Sequence, residues 1–105
     1  MIAGRRRHRL TIQRSVPGIG WGADPTWATH VEVWGSLEPL RGSELLAAQQ
    51  VQSEVTGKSG LPFVPGVTPA MRFLCEGRVY QILAVIDPEE RHRELQLMWK
   101  EQMLT

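Results

Sequence analysis

The side chains that most often carry out catalysis or bind metals are few in this sequence and stand far apart. The three histidines are His8, His30 and His92, and the single cysteine is Cys75. None of them has the short spacing typical of a zinc site, and with one cysteine we expect neither an internal disulfide nor a cysteine-based zinc site. Cys75 stands in an apolar stretch, so we interpret it as a small buried residue without catalytic activation. The sequence therefore predicts no catalytic residue, no bound metal and no cofactor.

A group of arginines near the start of the chain is the strongest local charge feature. It consists of Arg5, Arg6, Arg7 and Arg9. Arginine suits contacts with DNA phosphates, because its guanidinium is always charged and donates several hydrogen bonds. The same charges can protect an edge strand from pairing with another chain. The formal net charge is only +1, so no global field draws the protein to nucleic acid, and both interpretations stay open.

Three of the four tryptophans stand outside the most regular strand patterns. Trp21 lies between two glycines in the loop 15–27, and Trp27 closes that loop. Trp34 falls on the otherwise polar face of a predicted strand. Tryptophan is enriched at the centres of protein–protein interfaces. We therefore take Trp21, Trp27 and Trp34 as candidate contacts with a subunit or partner, with packing on the protein's own surface as the alternative.

The elements that position these residues are mainly strands. The alternation is clearest in 71–99, where Leu95, Leu97 and Trp99 share one face of the last strand, and Gly77 suits a tight hairpin turn. Similar patterns predict strands over 7–14, 28–38, 71–75, 78–86 and 93–100. The segment 53–66 contains several glycines and prolines, and we expect it to be a flexible loop or an edge strand. Counting that strand, the chain has six.

One helix is predicted, over 43–52. Ser43 suits the N-cap and Glu44 suits the first turn. Leu45, Ala48 and Val51 form a narrow apolar stripe. About ten residues are too few for a helix to be stable alone. We therefore expect this helix to dock on the sheet or on a neighbouring subunit.

The totals favour one soluble globular domain over 1–105. The chain has 105 residues, of which 42% are hydrophobic and 22% charged, which suits a single modest core. No apolar run approaches the length of a membrane helix, and we expect no signal peptide. Together these features predict a mainly β fold: a small six-stranded antiparallel β-barrel with one short inserted helix and long loops.

Three blocks of the sequence resemble one protein family in the same order along nearly the whole chain. They are GRRRHRLTIQR, VWGSLEPLRGSELLAAQQV and PGVTPAMRFLCEGRVYQILAVIDPEERHRELQL. The most specific elements are Trp34 with Glu38-Pro39-Leu40, and Met71-Arg72 leading to Gly77-Arg78-Val79-Tyr80. These blocks resemble the small head-closure proteins of tailed bacteriophages, also called head–tail joining, head-completion or stopper proteins. One segment departs from the family pattern, because GKSGLPFV stands where relatives tend to carry a regular strand.

The resemblance implies a structural role in a phage or phage-like particle assembled in the bacterial cytoplasm. Such proteins form a ring, commonly of twelve copies, that closes the DNA exit channel below the portal and gives the tail a docking surface. The implied partners are further copies of the chain, a head–tail adaptor, a tail terminator or tail-tube protein, and the packaged double-stranded DNA. No membrane is implied.

The resemblance also implies positions for the contacts. By position, a loop over 40–66 would project into the channel, which makes candidates of Lys58, Leu61, Phe63 and Val64. Helix residues Glu44, Leu45 and Gln49 join the tryptophans as candidate subunit contacts. The alternative function is a small β-barrel that binds nucleic acid through the N-terminal arginine cluster.

Overall fold

The computed structural model describes residues 8–87 and 90–102. In those ranges the chain forms seven strands and one helix. In chain order they are β1 (His8–Val16), β2 (Thr26–Gly35), β3 (Glu38–Pro39), α1 (Gly42–Val51), β4 (Gly57–Pro62), β5 (Arg72–Cys75), β6 (Arg78–Ile86) and β7 (Glu94–Gln102). The strands form one antiparallel sheet in the order β2-β1-β5-β6-β7-β4-β3.

The sheet is strongly curved but does not close into a barrel. The amide of Ser36 donates to the carbonyl of Gly60 at 2.9 Å, and the amide of Gly60 donates to Oγ of Ser36 at 2.8 Å. These bonds join the end of β2 to β4 at one place. β3, the edge strand opposite β2, is only two residues long, so it cannot form a continuous hydrogen-bond ladder with β2. The mainly β antiparallel prediction with one helix is thus confirmed. The six-stranded barrel is corrected to an open sheet of seven strands.

The segment predicted as a flexible loop or an edge strand contains an interior strand. β4 pairs with β7 along its whole length, from Gly57 opposite Trp99 to Pro62 opposite Glu94. Its other side pairs with β3 at Lys58 and Gly57. A proline is tolerated at Pro62 because this is the last residue of β4, and β3 pairs only with Gly57 and Lys58. Non-local pairing therefore overrides the poor strand propensity of this glycine-rich segment.

The core lies on the concave face of the sheet around three aromatic rings. Phe73 stacks on Tyr80 with ring centroids 4.9 Å apart, and Trp99 meets the edge of Tyr80 at 4.7 Å. Nε1 of Trp99 donates a buried hydrogen bond to Oγ of Ser59 at 2.9 Å. Leucines, isoleucines and one methionine complete the cluster: Leu10, Ile12, Leu61, Met71, Ile82, Leu95 and Leu97. Cys75 is buried in the same cluster, as predicted.

Gly57 is required by the packing of Trp99. A Cβ at Gly57 would lie 2.3 Å from two atoms of the Trp99 ring, which is itself buried, whereas a Cβ at Gly60 would meet only Oγ of Ser36 at 3.4 Å. We expect Gly57→Ala to lower the free energy of unfolding by about 1–3 kcal/mol, because a packed ring must move. Gly60→Ala is the matched control and should change it by less than about 1 kcal/mol. Urea denaturation of both variants checks this, and equal effects would contradict it.

Helix α1 makes few contacts with the rest of the domain. None of its residues is buried. Its side chains reach the sheet through a salt bridge from Lys58 to Glu44 at 3.3 Å and a hydrogen bond from Gln49 Nε2 to the carbonyl of Val55 at 3.3 Å. The N-cap is Arg41 rather than Ser43, and it makes no side-chain capping bond. The predicted docking of this helix on the sheet is therefore slight.

Candidate partner-binding surface

The convex face of β1, β2 and β5 carries two tryptophans, each beside an arginine. Directly paired residues of an antiparallel sheet share a face. Arg9 pairs with Trp34, and Ser15 pairs with Trp27. Since Leu10 and Ile12 enter the core, the side chains at alternate positions of β1 face outward. Trp34 is 53% exposed and Trp27 is 36% exposed.

The arginines hold these indole rings in defined positions. Cζ of Arg9 lies 5.7 Å from the ring centroid of Trp34, and Cζ of Arg72 lies 4.2 Å from that of Trp27. Arg9 also donates to Glu32 at 2.8 Å. Such cation–π contacts contribute about 0.5–1 kcal/mol each at exposed sites. Two tryptophans are therefore presented as ordered aromatic groups on a surface that a partner can approach.

Arg72 is fixed by a second interaction as well. Its Nε donates to Oε1 of Gln13 at 2.8 Å across the β1–β5 pair. Partial burial lowers the pKa of the Arg72 guanidinium from its ordinary value, although a guanidinium remains charged at neutral pH. Arg72 was not among the predicted contact residues. Its place beside Trp27 depends on the pairing of β1 with both β2 and β5, which no local pattern indicates.

Trp21 is fully exposed at the tip of the loop between β1 and β2. Its relative exposure is 105%, and that of Ile19 is 98%. Gly20 and Gly22 have φ values of 96° and 74°, which are the left-handed conformations that glycine adopts without strain. These glycines turn the loop so that Trp21 contacts no core residue. Two large apolar side chains are thus left in water on one short loop.

Helix α1 carries further exposed apolar side chains. Val51 is 91% exposed and Leu46 is 65% exposed. Leu45 is only half-buried, and Glu44 and Gln49 make the two contacts with the sheet described above. Val51 belongs to the apolar stripe that was predicted to dock on the sheet or on a neighbouring subunit. Leu46 was not among the predicted contact residues. Both stay exposed, because only Leu45, Ala48 and Gln49 of α1 are even half-buried in the domain.

The four residues predicted for a channel loop lie in or next to β4. Leu61 is fully buried in the core, so in this structure it faces no channel. Lys58 is partly exposed and is paired with Glu44. Phe63 and Val64 follow the strand and pack partly against the core. A regular strand therefore accounts for much of the segment that was expected to project as a loop.

The predicted DNA-contact residues are only partly described. Arg5, Arg6 and Arg7 lie outside the described residues. Arg9 is described and is engaged by Glu32 and Trp34 within the sheet. Because β1 lies between β2 and β5, the interpretation that Arg9 protects an edge strand is wrong.

The titratable residues of the core are held in their neutral forms. Burial, and next the Glu76 carboxylate, raises the pKa of the Cys75 thiol. Burial also raises the pKa of Tyr80, with Glu101 the next cause. A thiol with a raised pKa is a poor nucleophile, so these groups act as packing residues. No helix in the described part of the chain is long and apolar enough to cross a membrane.

The described residues combine exposed tryptophans and an exposed apolar helix face with one small buried core. These features are typical of a structural β domain that binds partners. The family of phage head completion proteins matches residues 1–102. The chain belongs to that family, and it is accordingly a structural phage protein of the head-completion class and a component of the virion.

Two solved structures share the fold. The solution structure of protein SF1141 from Shigella flexneri 2a superposes with a TM-score of 0.77 at 19% identity, covering 100% of both chains. A chain from the virion of a native gene transfer agent particle superposes with a TM-score of 0.58 at 20% identity, covering 95% of this chain and 100% of that one. No curated protein sequence matches the chain. The open seven-stranded sheet is therefore a fold also seen in a virion.

Proposed function

We propose that this protein is the connector that closes the head of a tailed phage or phage-like particle. In this proposal, copies of the chain form a ring, of twelve subunits by analogy with the family, between a portal-side adaptor and the tail. The ring retains the packaged double-stranded DNA and offers a docking surface to a tail terminator or tail-tube protein. Membership of the head completion family and the gene transfer agent neighbour support this role.

The observation that carries the proposal is the presence of two different exposed apolar surfaces on one small domain. One comprises Trp27 and Trp34 on the strands, and the other comprises Leu46 and Val51 on α1. A closed ring needs two unlike surfaces on each subunit, because every contact joins one patch to a different patch on the neighbour. Burying a valine or leucine side chain contributes about 1.5–3 kcal/mol. Assembly can therefore stabilise a helix that the isolated domain leaves nearly undocked.

The remaining exposed groups suit the proposed axial partners. Trp21 and Ile19 are exposed on the loop between β1 and β2, which suits contact with an adaptor or tail protein. Lys58 lies in β4 and Phe63 and Val64 follow it, and these three stay the candidates for a channel-facing segment; Lys58 is paired with Glu44 within the domain. The nucleic-acid-binding alternative depends on Arg5, Arg6 and Arg7, which lie outside the described residues, and no contact described above favours it.

Particles assembled without this protein test the proposal. We expect them to package DNA and then to lose it or remain without tails, because the exit channel is left open. Electron microscopy of purified particles and measurement of nuclease-protected DNA read out the two effects. Restoration by the native chain in trans is the control. Tailed, DNA-filled particles in normal yield would refute the connector role.

A further inference from the structure

Pairing of β1 with β5 brings three potential metal ligands together from distant parts of the sequence. Thr11 pairs with Leu74, and Ile12 pairs with Phe73. Continuing that register places the first residue of β1, His8, beside the β5–β6 turn that contains Glu76. His8 lies on the same side of β1 as Leu10 and Ile12, since side chains alternate along a strand.

The three donor atoms form a compact set at the rim of the core. One nitrogen of His8, Sγ of Cys75 and one carboxylate oxygen of Glu76 all lie within 4.8 Å of one another. Nδ1 of His8 is 3.3 Å from Oε1 of Glu76. Bond lengths of about 2.0–2.3 Å in a tetrahedral zinc site correspond to donor separations of about 3.3–3.8 Å. The donors therefore need only small movements to surround one ion.

The burial of the three side chains also suits a zinc site with one open position. Cys75 is 2% exposed and belongs to the core. The side chain of His8 is 32% exposed and that of Glu76 is 74% exposed. The sulfur thus faces the apolar side and the carboxylate faces water. A solvent molecule can complete four-coordination on the open side.

We propose that His8, Cys75 and Glu76 bind one zinc ion. A thiolate, an imidazole and a carboxylate are the three ligand types that zinc accepts, and a set containing a thiolate disfavours magnesium and calcium. Binding forms a zinc–sulfur bond and releases the thiol proton to solvent. The ion joins the start of β1 to the β5–β6 turn. This inference stands apart from the proposed connector function.

Metal binding by the isolated full chain tests the zinc site. We expect chain treated with a chelator and then dialysed to bind one zinc ion per molecule by isothermal titration calorimetry, and its Tm to rise with zinc. Cobalt(II) serves as a spectroscopic probe, because a bound thiolate gives a charge-transfer band in the near ultraviolet. Absence of zinc binding, or cobalt binding without that band, would overturn the proposal and leave a His8–Glu76 hydrogen bond only.

Variants distinguish the three ligands from general surface binding. We expect Glu76→Gln, His8→Gln and Cys75→Ser each to weaken zinc binding by at least about tenfold. His30→Gln is the matched control and should bind zinc as the native chain does, because Nε2 of His30 donates to the carbonyl of Pro65 at 2.9 Å and His30 lies outside the cluster. If Cys75→Ser fails to fold, the site is still tested by the cobalt spectrum of the native chain and by Glu76→Gln, which changes an exposed side chain. Unchanged zinc affinity of the Glu76→Gln variant would show that Glu76 is not a ligand and would refute the proposed site.

Discussion

Trp99→Ala is expected to lower the free energy of unfolding by about 3–5 kcal/mol, the range for deleting a large buried aromatic side chain. Trp99 is buried, contacts Phe73 and Tyr80, and donates the hydrogen bond to Ser59. Its removal leaves a cavity at the centre of the core and a buried hydroxyl that has lost its partner. Single domains have only about 5–15 kcal/mol of stability in total. Urea denaturation followed by circular dichroism should therefore show a much earlier transition.

The same chemical change at Trp21 is the matched control for this stability effect. Trp21 is fully exposed, so Trp21→Ala should change the free energy of unfolding by less than about 0.5 kcal/mol. A comparable loss at both positions would mean that Trp21 packs on the domain. That result would contradict the exposed conformation of the loop that carries Trp21.

Trp21→Ala is expected to have its large effect in assembly instead. An exposed tryptophan that becomes buried against a partner commonly contributes about 2 kcal/mol or more, which is roughly a 30-fold change in affinity. In a host that supplies only the variant, we expect much less of this protein in purified particles and fewer tailed particles. Quantitative gel analysis against the major capsid protein measures the incorporation.

Ile86→Ala is a suitable control for the assembly experiment. Ile86 is an exposed apolar residue at the end of β6, a strand that is adjacent to neither β1 nor β2 in the sheet. We expect its incorporation to match the native chain. Normal incorporation of the Trp21→Ala variant would exclude Trp21 from the contact with a partner, while a loss with Ile86→Ala as well would indicate general sensitivity to surface changes.

The regular parts of the sheet could be predicted because their patterns are local. Alternation along β7 predicts that Leu95, Leu97 and Trp99 share one face, and all three are in the core. Helix α1 was predicted within one residue at each end. Family membership was also predicted, since three sequence blocks in order carry more information than any single motif.

The remaining features depend on contacts between distant residues. β4 has poor strand propensity and forms because β7 offers a complete partner edge. Arg72 reaches Trp27 only because β1 lies between their strands in the sheet. His8 and Glu76 are 68 residues apart in sequence, so their spacing resembles no metal-binding motif. The predicted closure of the barrel was wrong for a related reason. Closure requires the two edge strands, β2 and β3, to pair along their length, and β3 has only two residues.

The position of β7 in the sheet has a consequence for how the protein is made. β7 is the last strand of the chain, yet it lies between β6 and β4 and connects them. Until it leaves the ribosome, β4 has no ladder partner other than the two-residue β3, and the Ser36–Gly60 bonds link it only to the end of β2. Non-local pairing of this kind delays folding until the distant partner is present. Copies interrupted before β7 therefore lack the core side chains Leu95, Leu97 and Trp99 and the strand that joins β4 to β6.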